Sequence, residues 1–251
     1  MAIPNFDLLS ILKLRSLTWI TVATDSWSFS GVANLSHMSI EAVIFDVGGV
    51  LVESPFIAAM RWAKDWDLPE SALATLFGEY SRVPVLGSEP PIWHEVECGR
   101  VPLTSFIENM KKNLAHDLPK NHRALRMEAS DFNPFRGAKL NQDVLGLVHR
   151  LRDQGLRVSI LTNNVVEWSE WRSVVPIENF EDVVDSCEVG IRKPDPEIFK
   201  LACSRLLLPA DSCLFLDDHL GNVNAARTFG LHAVLVTDDY EALVHEVLAM
   251  I

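Results

Sequence analysis

Six polar residues of this 251-residue sequence could do chemistry together, because each stands near the end of a short apolar run or in the loop between two such runs. They are Asp46, Thr162, Asn163, Lys193, Asp217 and Asp218. Carboxylates that converge repel one another unless a cation lies among them, and a set made only of oxygen ligands suits Mg²⁺. A carboxylate nucleophile, a hydroxyl group, a lysine and Mg²⁺ together indicate phosphoryl transfer through an aspartyl-phosphate.

The apolar pattern predicts the elements that must position these residues. Short apolar runs bounded by turn residues predict buried strands, and these runs are AVIFDV, LRVSILTNN, EDVVDS, SCLFLDD and HAVLV. The segments between them predict helices; Gly155 and Gly230 each close one, and Asp195 with Pro196 begins another. This alternation predicts a Rossmann-like three-layer α/β sandwich with a parallel central sheet. Ligands of such sheets bind at the carboxyl ends of the strands.

One stretch interrupts the alternation. Residues 54–136 contain the helix-like segments PFIAAMRWAKDW, ESALATLFGEY and LTSFIENMKKNL, which predicts a small all-helical cap inserted after the first strand. The core domain is then expected at residues 38–53 and 137–251. Residues 1–37 are expected to be an appendage, since Met38 in MSIEAVIFD would be a natural start for a chain that opens on its first strand. We expect Trp62, Trp66 and Trp93 to build the small core of the cap.

Four segments, taken in order, resemble the four motifs of the haloacid-dehalogenase-like hydrolase superfamily. They are VIFDVGGVL, ILTNN, IRKPDPEIF and LFLDDHLGNVNAA. The helical insert resembles the C1-type cap of that family. The FDxGGVL opening and the TNN ending are most similar to the subgroup that includes the phosphatase-like N-terminal domain of soluble epoxide hydrolase.

The resemblance implies a role for each of the polar residues. Asp46 would attack the phosphorus atom, and Thr162 and Asn163 would hold the transferring phosphoryl group. Lys193 would neutralise that group and orient Asp46. The implied ligands of Mg²⁺ are Asp46, the backbone carbonyl of Gly48, Asp217 and Asp218. Asn222 would lie near the metal loop in a supporting role.

The chain departs from the family pattern at Gly48. Most phosphatases of the family carry an aspartate two residues after the nucleophile, which protonates the leaving oxygen and then activates water. Losing a positioned acid or base typically lowers the rate about 10²–10⁴-fold. Glu53 lies just past the turn and is the first candidate to replace the missing acid. The cap residues His94, Glu95 and Glu97 are further candidates.

Three functions are compatible with these motifs. The favoured one is a Mg²⁺-dependent phosphohydrolase that acts on a small phosphorylated metabolite. The second is a phosphate-binding or regulatory protein with little turnover, for which Gly48 is the support. The third is a metal-independent haloacid dehalogenase, which is less favoured because dehalogenases of the family carry a tyrosine where Gly48 stands and would leave the acidic pair Asp217 and Asp218 unexplained.

Charge and composition restrict the partners. The formal net charge is −12 at pH 7, and nucleic-acid-binding surfaces are basic, so no nucleic-acid partner is expected. No apolar run is long enough to span a bilayer, and Lys13 and Arg15 interrupt the apolar N-terminal segment, so a cytoplasmic protein without a membrane partner is expected. The four cysteines contain no C-x-x-C pair, which predicts reduced, buried thiols. The oligomeric state is left open.

Overall fold

The fold is built around a five-stranded parallel sheet. The computed structural model describes residues 39–69 and 89–251. Its strands are β1 (Ala42–Phe45), β2 (Arg157–Thr162), β3 (Val183–Asp185), β4 (Cys213–Asp217) and β5 (His232–Leu235). They are ordered β3-β2-β1-β4-β5, and every neighbouring pair is parallel. All five predicted strands are therefore present, and β1 lies at the centre of the sheet.

The register of the sheet brings the predicted site residues to one edge. Phe45 pairs with Ile160 of β2 on one side and with Leu216 of β4 on the other. The next residue, Asp46, donates its backbone N–H to the carbonyl oxygen of Leu216 at 2.9 Å. Since all three strands run in the same direction, Asp46 stands beside Asp217 and close to the end of β2.

The helices have the following bounds in the described residues. They are α1 (Pro55–Asp65), α2 (Ile92–Glu97), α3 (Leu103–Leu114), α4 (Gln142–Asp153), α5 (Trp171–Val174), α6 (Ser186–Val189), α7 (Pro196–Leu206), α8 (Leu220–Phe229) and α9 (Tyr240–Met250). Short 3-10 turns occur at Arg123–Arg126, Ala129–Asp131, Ile177–Asn179 and Ala210–Ser212. None of these described helices has both the length and the apolar character needed to cross a membrane.

Helices cover both faces of the sheet. Val43 and Phe45 of β1 pack into one apolar cluster together with buried side chains of α4 and α9. Ala42 and Ile44, which point the opposite way because side chains alternate along a strand, pack into a second cluster with α7 and α8. The predicted three-layer sandwich is confirmed.

The helix ends form as their sequences predict. The Asp195 side chain accepts a hydrogen bond from the backbone N–H of Glu197, with Pro196 in the first turn of α7. Gly230 follows α8 with a φ of +112°, a left-handed conformation that glycine adopts without strain. The cysteines form no disulfide, although Cys187 is half-buried rather than buried.

The helical segments after β1 pack through aromatic side chains. Trp62 stacks on Trp66 with ring centroids 5.6 Å apart, and its other edge meets Phe132 at 4.9 Å. Trp93 lies 5.5 Å from Trp168, which belongs to the segment after β2. The predicted aromatic core is present, and Trp168 joins it to the sheet domain. The predicted helix ESALATLFGEY and the predicted appendage at 1–37 lie outside the described residues, and the domain limits stay predictions.

Candidate active site

A lysine without solvent exposure lies at the centre of the site. Lys193 is 0% exposed, and its Nζ lies 2.9 Å from Oδ1 of Asp46 and 2.7 Å from Oδ2 of Asp217. It also donates to the carbonyl oxygen of Leu161 at 3.0 Å. Burial by itself lowers the pKa of Lys193, but the carboxylates of Asp217 and Asp46 outweigh burial and raise that pKa above its ordinary value. The ammonium group therefore stays charged.

Asp46 directly follows β1, and two donors fix its side chain. The Lys193 ammonium group and the backbone N–H of Val47, at 2.7 Å, both reach Oδ1. Among the residues that the structure describes, Oδ2 is thus the carboxylate oxygen without a donor. Burial raises the pKa of Asp46 to about 8; Lys193 opposes this shift, and the charges of Asp217 and Asp218 add to it. An ionised Asp46 needs more positive charge than Lys193 supplies.

Three carboxylates converge beside the lysine. Ligand oxygens of Asp46, Asp217 and Asp218 all lie within 4.8 Å of one another. Three like charges at this spacing are favourable only with added positive charge among them. A site that offers only oxygen ligands suits Mg²⁺, which completes its shell with water and substrate phosphate oxygens. The residues present therefore fit a Mg²⁺ ion.

Neighbouring groups hold the two carboxylates at the end of β4. Asn222 donates its side-chain amide to both oxygens of Asp217 at 3.1 Å, and the backbone N–H of His219 donates to Oδ1 at 2.7 Å. The Ser54 hydroxyl donates to Oδ2 of Asp218 at 3.3 Å. Asn222 thus holds Asp217, the first residue of the acidic pair, and its role near a metal stays a prediction.

Thr162 and Asn163 lie at the end of β2, but their side chains are used differently. Thr162 is buried, and its hydroxyl lies 3.5 Å from the carbonyl oxygen of Asn163. The Asn163 side chain accepts from the backbone N–H of Lys193 at 2.8 Å and donates to the Lys193 carbonyl oxygen at 3.0 Å. Asn163 is therefore a positioning residue for Lys193, which the sequence did not indicate. A phosphoryl contact through its backbone stays a prediction.

The loop after Asp46 has no room for side chains at its two glycines. A Cβ at Gly48 would lie 2.6 Å from both Cγ and Cδ of Pro55. Gly49 has a φ of +74°, and a Cβ there would overlap the carboxylate of Asp218. The ring of Pro55 thus fills the space that an acid at position 48 would need. The proposed metal contact through the Gly48 carbonyl stays a prediction.

Each of the acids suggested as a substitute for the missing aspartate is paired with an arginine. Glu53 pairs with Arg61, Glu95 with Arg100, and Glu97 with Arg192. His94 is buried on α2. A carboxylate can donate a proton only when it is protonated, and protonation would break these ion pairs. In the structure each of these three acids thus has an arginine partner, and the role of any of them as a substitute acid stays a prediction.

The pair of Glu97 and Arg192 joins α2 to the loop that carries Lys193, and sequence reasoning missed it. Nε of Arg192 donates to Oε2 of Glu97 at 2.6 Å, with 14% and 4% of the two side chains exposed. The Ser186 hydroxyl donates to the Glu97 carbonyl oxygen at 2.6 Å. Arg192 directly precedes Lys193, so its position beside a site residue was the available signal. No local pattern indicated its partner 95 residues away.

A second polar network, also missed, lies beyond Thr162. The Asp185 carboxylate is 1% exposed and accepts from the side chains of Asn164 and Arg172, each at 3.0 Å. The backbone N–H of Asn164 donates to the Ser186 hydroxyl at 2.9 Å. These contacts fix the segment after β2 against the end of β3 and the start of α6.

The sequence profile of the haloacid dehalogenase-like hydrolase family matches residues 40–230, which is most of the chain. The chain belongs to this family. It is therefore a member of a hydrolase family, and the resemblance that the four motifs indicated is confirmed.

Relatives and solved structures agree with this assignment. The chain is 31% identical to mouse acyl-CoA dehydrogenase family member 10 over 90% of this chain and 20% of that protein. It is 25% identical to rat bifunctional epoxide hydrolase 2 over 82% of this chain and 38% of that protein. It thus spans well under half of these two relatives. Phosphatase MT3486 of Mycobacterium tuberculosis (strain CDC 1551 / Oshkosh) is 28% identical over 79% of this chain and 88% of that protein.

The fold is shared with a haloacid dehalogenase family enzyme from Bacteroides thetaiotaomicron, solved in complex with magnesium and inorganic phosphate. The TM-score is 0.55, the sequence identity is 18%, and the match covers 82% of this chain and 99% of that one. At this identity the likeness shows the fold alone.

Proposed function

We propose that the protein is a Mg²⁺-dependent phosphohydrolase that acts on a small phosphorylated metabolite through an aspartyl-phosphate intermediate. The observation that carries the proposal is the buried Lys193, which contacts the nucleophile candidate Asp46 and the metal-ligand candidate Asp217 at the same time. A relative named as a phosphatase, matched over most of its length, supports the choice of phosphate as the reacting group.

The nucleophile is Asp46, attacking with Oδ2. Lys193 and the Val47 N–H hold Oδ1, so the carboxylate cannot rotate freely and its second oxygen is presented to the phosphorus atom. Holding reacting atoms in a near-attack geometry lowers the barrier by removing orientational freedom before the reaction. Oδ2 forms the new bond to phosphorus, and the leaving oxygen takes the electron pair of the bond that breaks.

Four groups would hold Mg²⁺, namely Asp46, Asp217, Asp218 and the carbonyl of Gly48. When bound, Mg²⁺ supplies positive charge that keeps Asp46 ionised and neutralises charge on the phosphoryl oxygens. Lys193 supplies a second, fixed positive charge beside Asp46. Thr162 offers its hydroxyl as a further donor to the phosphoryl group.

Phosphate release tests this function directly. We expect the full chain to release inorganic phosphate from at least one member of a panel of phosphate esters and acyl phosphates in the presence of Mg²⁺, and to stop when EDTA is added. Asp46→Asn is expected to abolish the release, because an amide is not a nucleophile here, while Asp211→Asn on an exposed 3-10 turn serves as the matched control. Release that persists in EDTA would contradict the role of the metal.

A second function is favoured by one observation, the closure of position 48 by Pro55. If nothing activates the water that cleaves the aspartyl-phosphate, the protein acts as a phosphate-binding or regulatory protein with little turnover. The two functions differ only in whether the aspartyl-phosphate on Asp46 is hydrolysed. Phosphorylated protein that accumulates on Asp46 without sustained phosphate release would support the regulatory function.

A further inference from the structure

We infer that this site selects phosphate compounds whose leaving group departs as a stable anion without receiving a proton, such as acyl phosphates, enol phosphates and aryl phosphates. Simple alkyl phosphate esters are then poor substrates. The inference rests on the proposed phosphohydrolase function and names its substrate class.

The first step of the argument is that position 48 is closed. Gly48 is buried, and the Pro55 ring stands 2.6 Å from where a Cβ would lie, with Phe135 at 4.0 Å on another side. Pro55 is the first residue of α1, and a proline ring has no side-chain rotation by which it could move aside. Position 48 therefore has no space for an acidic side chain. The atoms in the way belong to a rigid proline ring and not to a flexible side chain that could shift.

The second step is that nearby acids are engaged. Glu53 accepts hydrogen bonds from both terminal nitrogens of Arg61. Glu97 accepts from Arg192 and is buried. Asp218 belongs to the carboxylate cluster and accepts from Ser54. In the part of the chain that the structure describes, each of these carboxylates thus already accepts a hydrogen bond from another side chain.

The third step follows from the balance of the reaction. Oδ2 of Asp46 forms a bond to phosphorus, the bond between phosphorus and the leaving oxygen breaks, and that oxygen keeps the electron pair. An alkoxide formed in this way is a strong base and a poor leaving group without a proton, whereas a carboxylate, an enolate or a phenolate is weakly basic. A positioned acid is worth about 10²–10⁴-fold in rate, and that factor is lost mainly by the alkyl esters.

In the hydrolytic step, too, the leaving group departs as a stable anion without receiving a proton. The aspartyl-phosphate is itself an acyl phosphate, and the group that leaves in this step is the Asp46 carboxylate. Water forms a bond to phosphorus, the bond to the Asp46 oxygen breaks, and the carboxylate regains its electron pair while the water proton passes to phosphate or solvent. No proton has to be given to a leaving group in either step, so the absence of an acid blocks neither of them, and what the second step lacks is a base for the attacking water.

The test uses ring-substituted phenyl phosphates, which share one shape and differ in the basicity of the leaving phenolate. For the wild-type full chain with Mg²⁺, kcat/KM reports the steps up to the first irreversible one, so a slow second step does not mask the result. We expect kcat/KM to fall steeply as the leaving phenolate becomes more basic. We also expect acetyl phosphate to exceed ethyl phosphate by at least about 100-fold.

Two other results would be decisive in different ways. Phosphate release with a kcat/KM that does not depend on phenolate basicity would overturn the inference and leave the phosphohydrolase function standing, because another group would then be donating the proton. No release from any compound, acetyl phosphate included, would overturn the proposed function together with the inference that rests on it.

Discussion

At the scale of single residues, the site has more negative than positive charge, since three carboxylates converge beside one buried lysine. Lys193 contacts two of three converging carboxylates, and the pKa of Asp46 is raised to about 8 because burial and its acidic neighbours outweigh that one lysine. Removing one member of a buried ion pair leaves the other uncompensated, which typically costs about 3–5 kcal/mol. Lys193 is therefore expected to be structural as well as functional.

The Lys193→Ala substitution is expected to lower the free energy of unfolding by about 3–5 kcal/mol and to abolish phosphate release. Urea unfolding monitored by circular dichroism measures the first effect. Lys200→Ala is the matched control, since Lys200 is 62% exposed and pairs with Glu197 only on the surface; about 0.5 kcal/mol or less is expected there. Equal losses in the two variants would contradict the role assigned to Lys193.

Glycine to alanine substitutions at two positions are expected to have opposite signs. Gly48→Ala places a Cβ 2.6 Å from Pro55, and overpacking of this kind typically destabilises by about 1–3 kcal/mol. Gly146→Ala, inside α4 with no atom within 4 Å of its added Cβ, is expected to stabilise by about 0.5–1 kcal/mol. Thermal unfolding of both variants checks the difference. A Gly48→Ala protein as stable as wild type would mean that Pro55 moves aside.

At the scale of elements, α2 links the helical segment after β1 to the loop that carries Lys193. Glu97 at its end pairs with Arg192, and Arg100 just beyond it donates to the carbonyl oxygen of Gly190 at 2.7 Å. These contacts connect the segment over the site to residues next to the catalytic lysine candidate, so changes in α2 should affect both stability and the position of Lys193.

Substitutions of Glu97 and Arg192 are expected to have non-additive effects on the free energy of unfolding, because the two side chains form one buried ion pair. Glu97→Ala leaves Arg192 without its carboxylate and is expected to destabilise by about 3–5 kcal/mol. The double variant in which Glu97 and Arg192 both become Met is expected to lose much less than the sum of the single variants, because no unpaired charge remains. Unfolding free energies of the complete mutant cycle measure this coupling, and strict additivity would contradict it.

The ion pair between Glu95 on α2 and Arg100 just beyond it predicts a pH dependence of defined sign. The hydrogen bonds from Arg100 hold the pKa of Glu95 below its ordinary value of 4.5. Because the folded chain has the lower pKa, the contribution of the pair is fully present above pH 4.5 and is lost as the pH falls through the lowered value. Glu95→Gln should therefore be less stable than wild type by up to about 1 kcal/mol at pH 7. Urea unfolding measured from pH 7 down into acid should show that the difference in unfolding free energy between variant and wild type becomes smaller. A difference that stays constant would contradict the assignment.

At the scale of the whole molecule, metal binding is expected to stabilise the fold, since the three carboxylates converge only when β1 and β4 are paired. A ligand that binds the folded chain alone raises the free energy of unfolding by about 2.7 kcal/mol at 100 times its dissociation constant. Differential scanning calorimetry with increasing Mg²⁺ measures the rise in Tm. Asp217→Asn is expected to remove most of the rise, whereas Asp211→Asn is expected to keep it. An unchanged Tm for wild type in saturating Mg²⁺ would contradict the site.

The sequence by itself determined the elements and the edge of the sheet at which the site lies. Five apolar runs predicted five strands, and Asp195 with Pro196 and Gly230 marked helix ends that the structure shows. These signals are local, because strand burial and helix capping depend on neighbouring residues of the same segment. The convergence of Asp46, Thr162 and Asp217 followed from the rule that parallel strands end at one edge.

Only the tertiary structure decided how these side chains are used. In the structure the Asn163 side chain is hydrogen-bonded to the backbone of Lys193. The ring of Pro55 occupies the space beside Gly48. Glu97 forms an ion pair with Arg192. Each of these contacts joins segments that are not neighbours in a single helix or strand, and side-chain packing between such segments leaves no periodic trace in the sequence. The sequence therefore shows that an acid is missing beside Asp46, and the packing of α1 shows that the site is built without one.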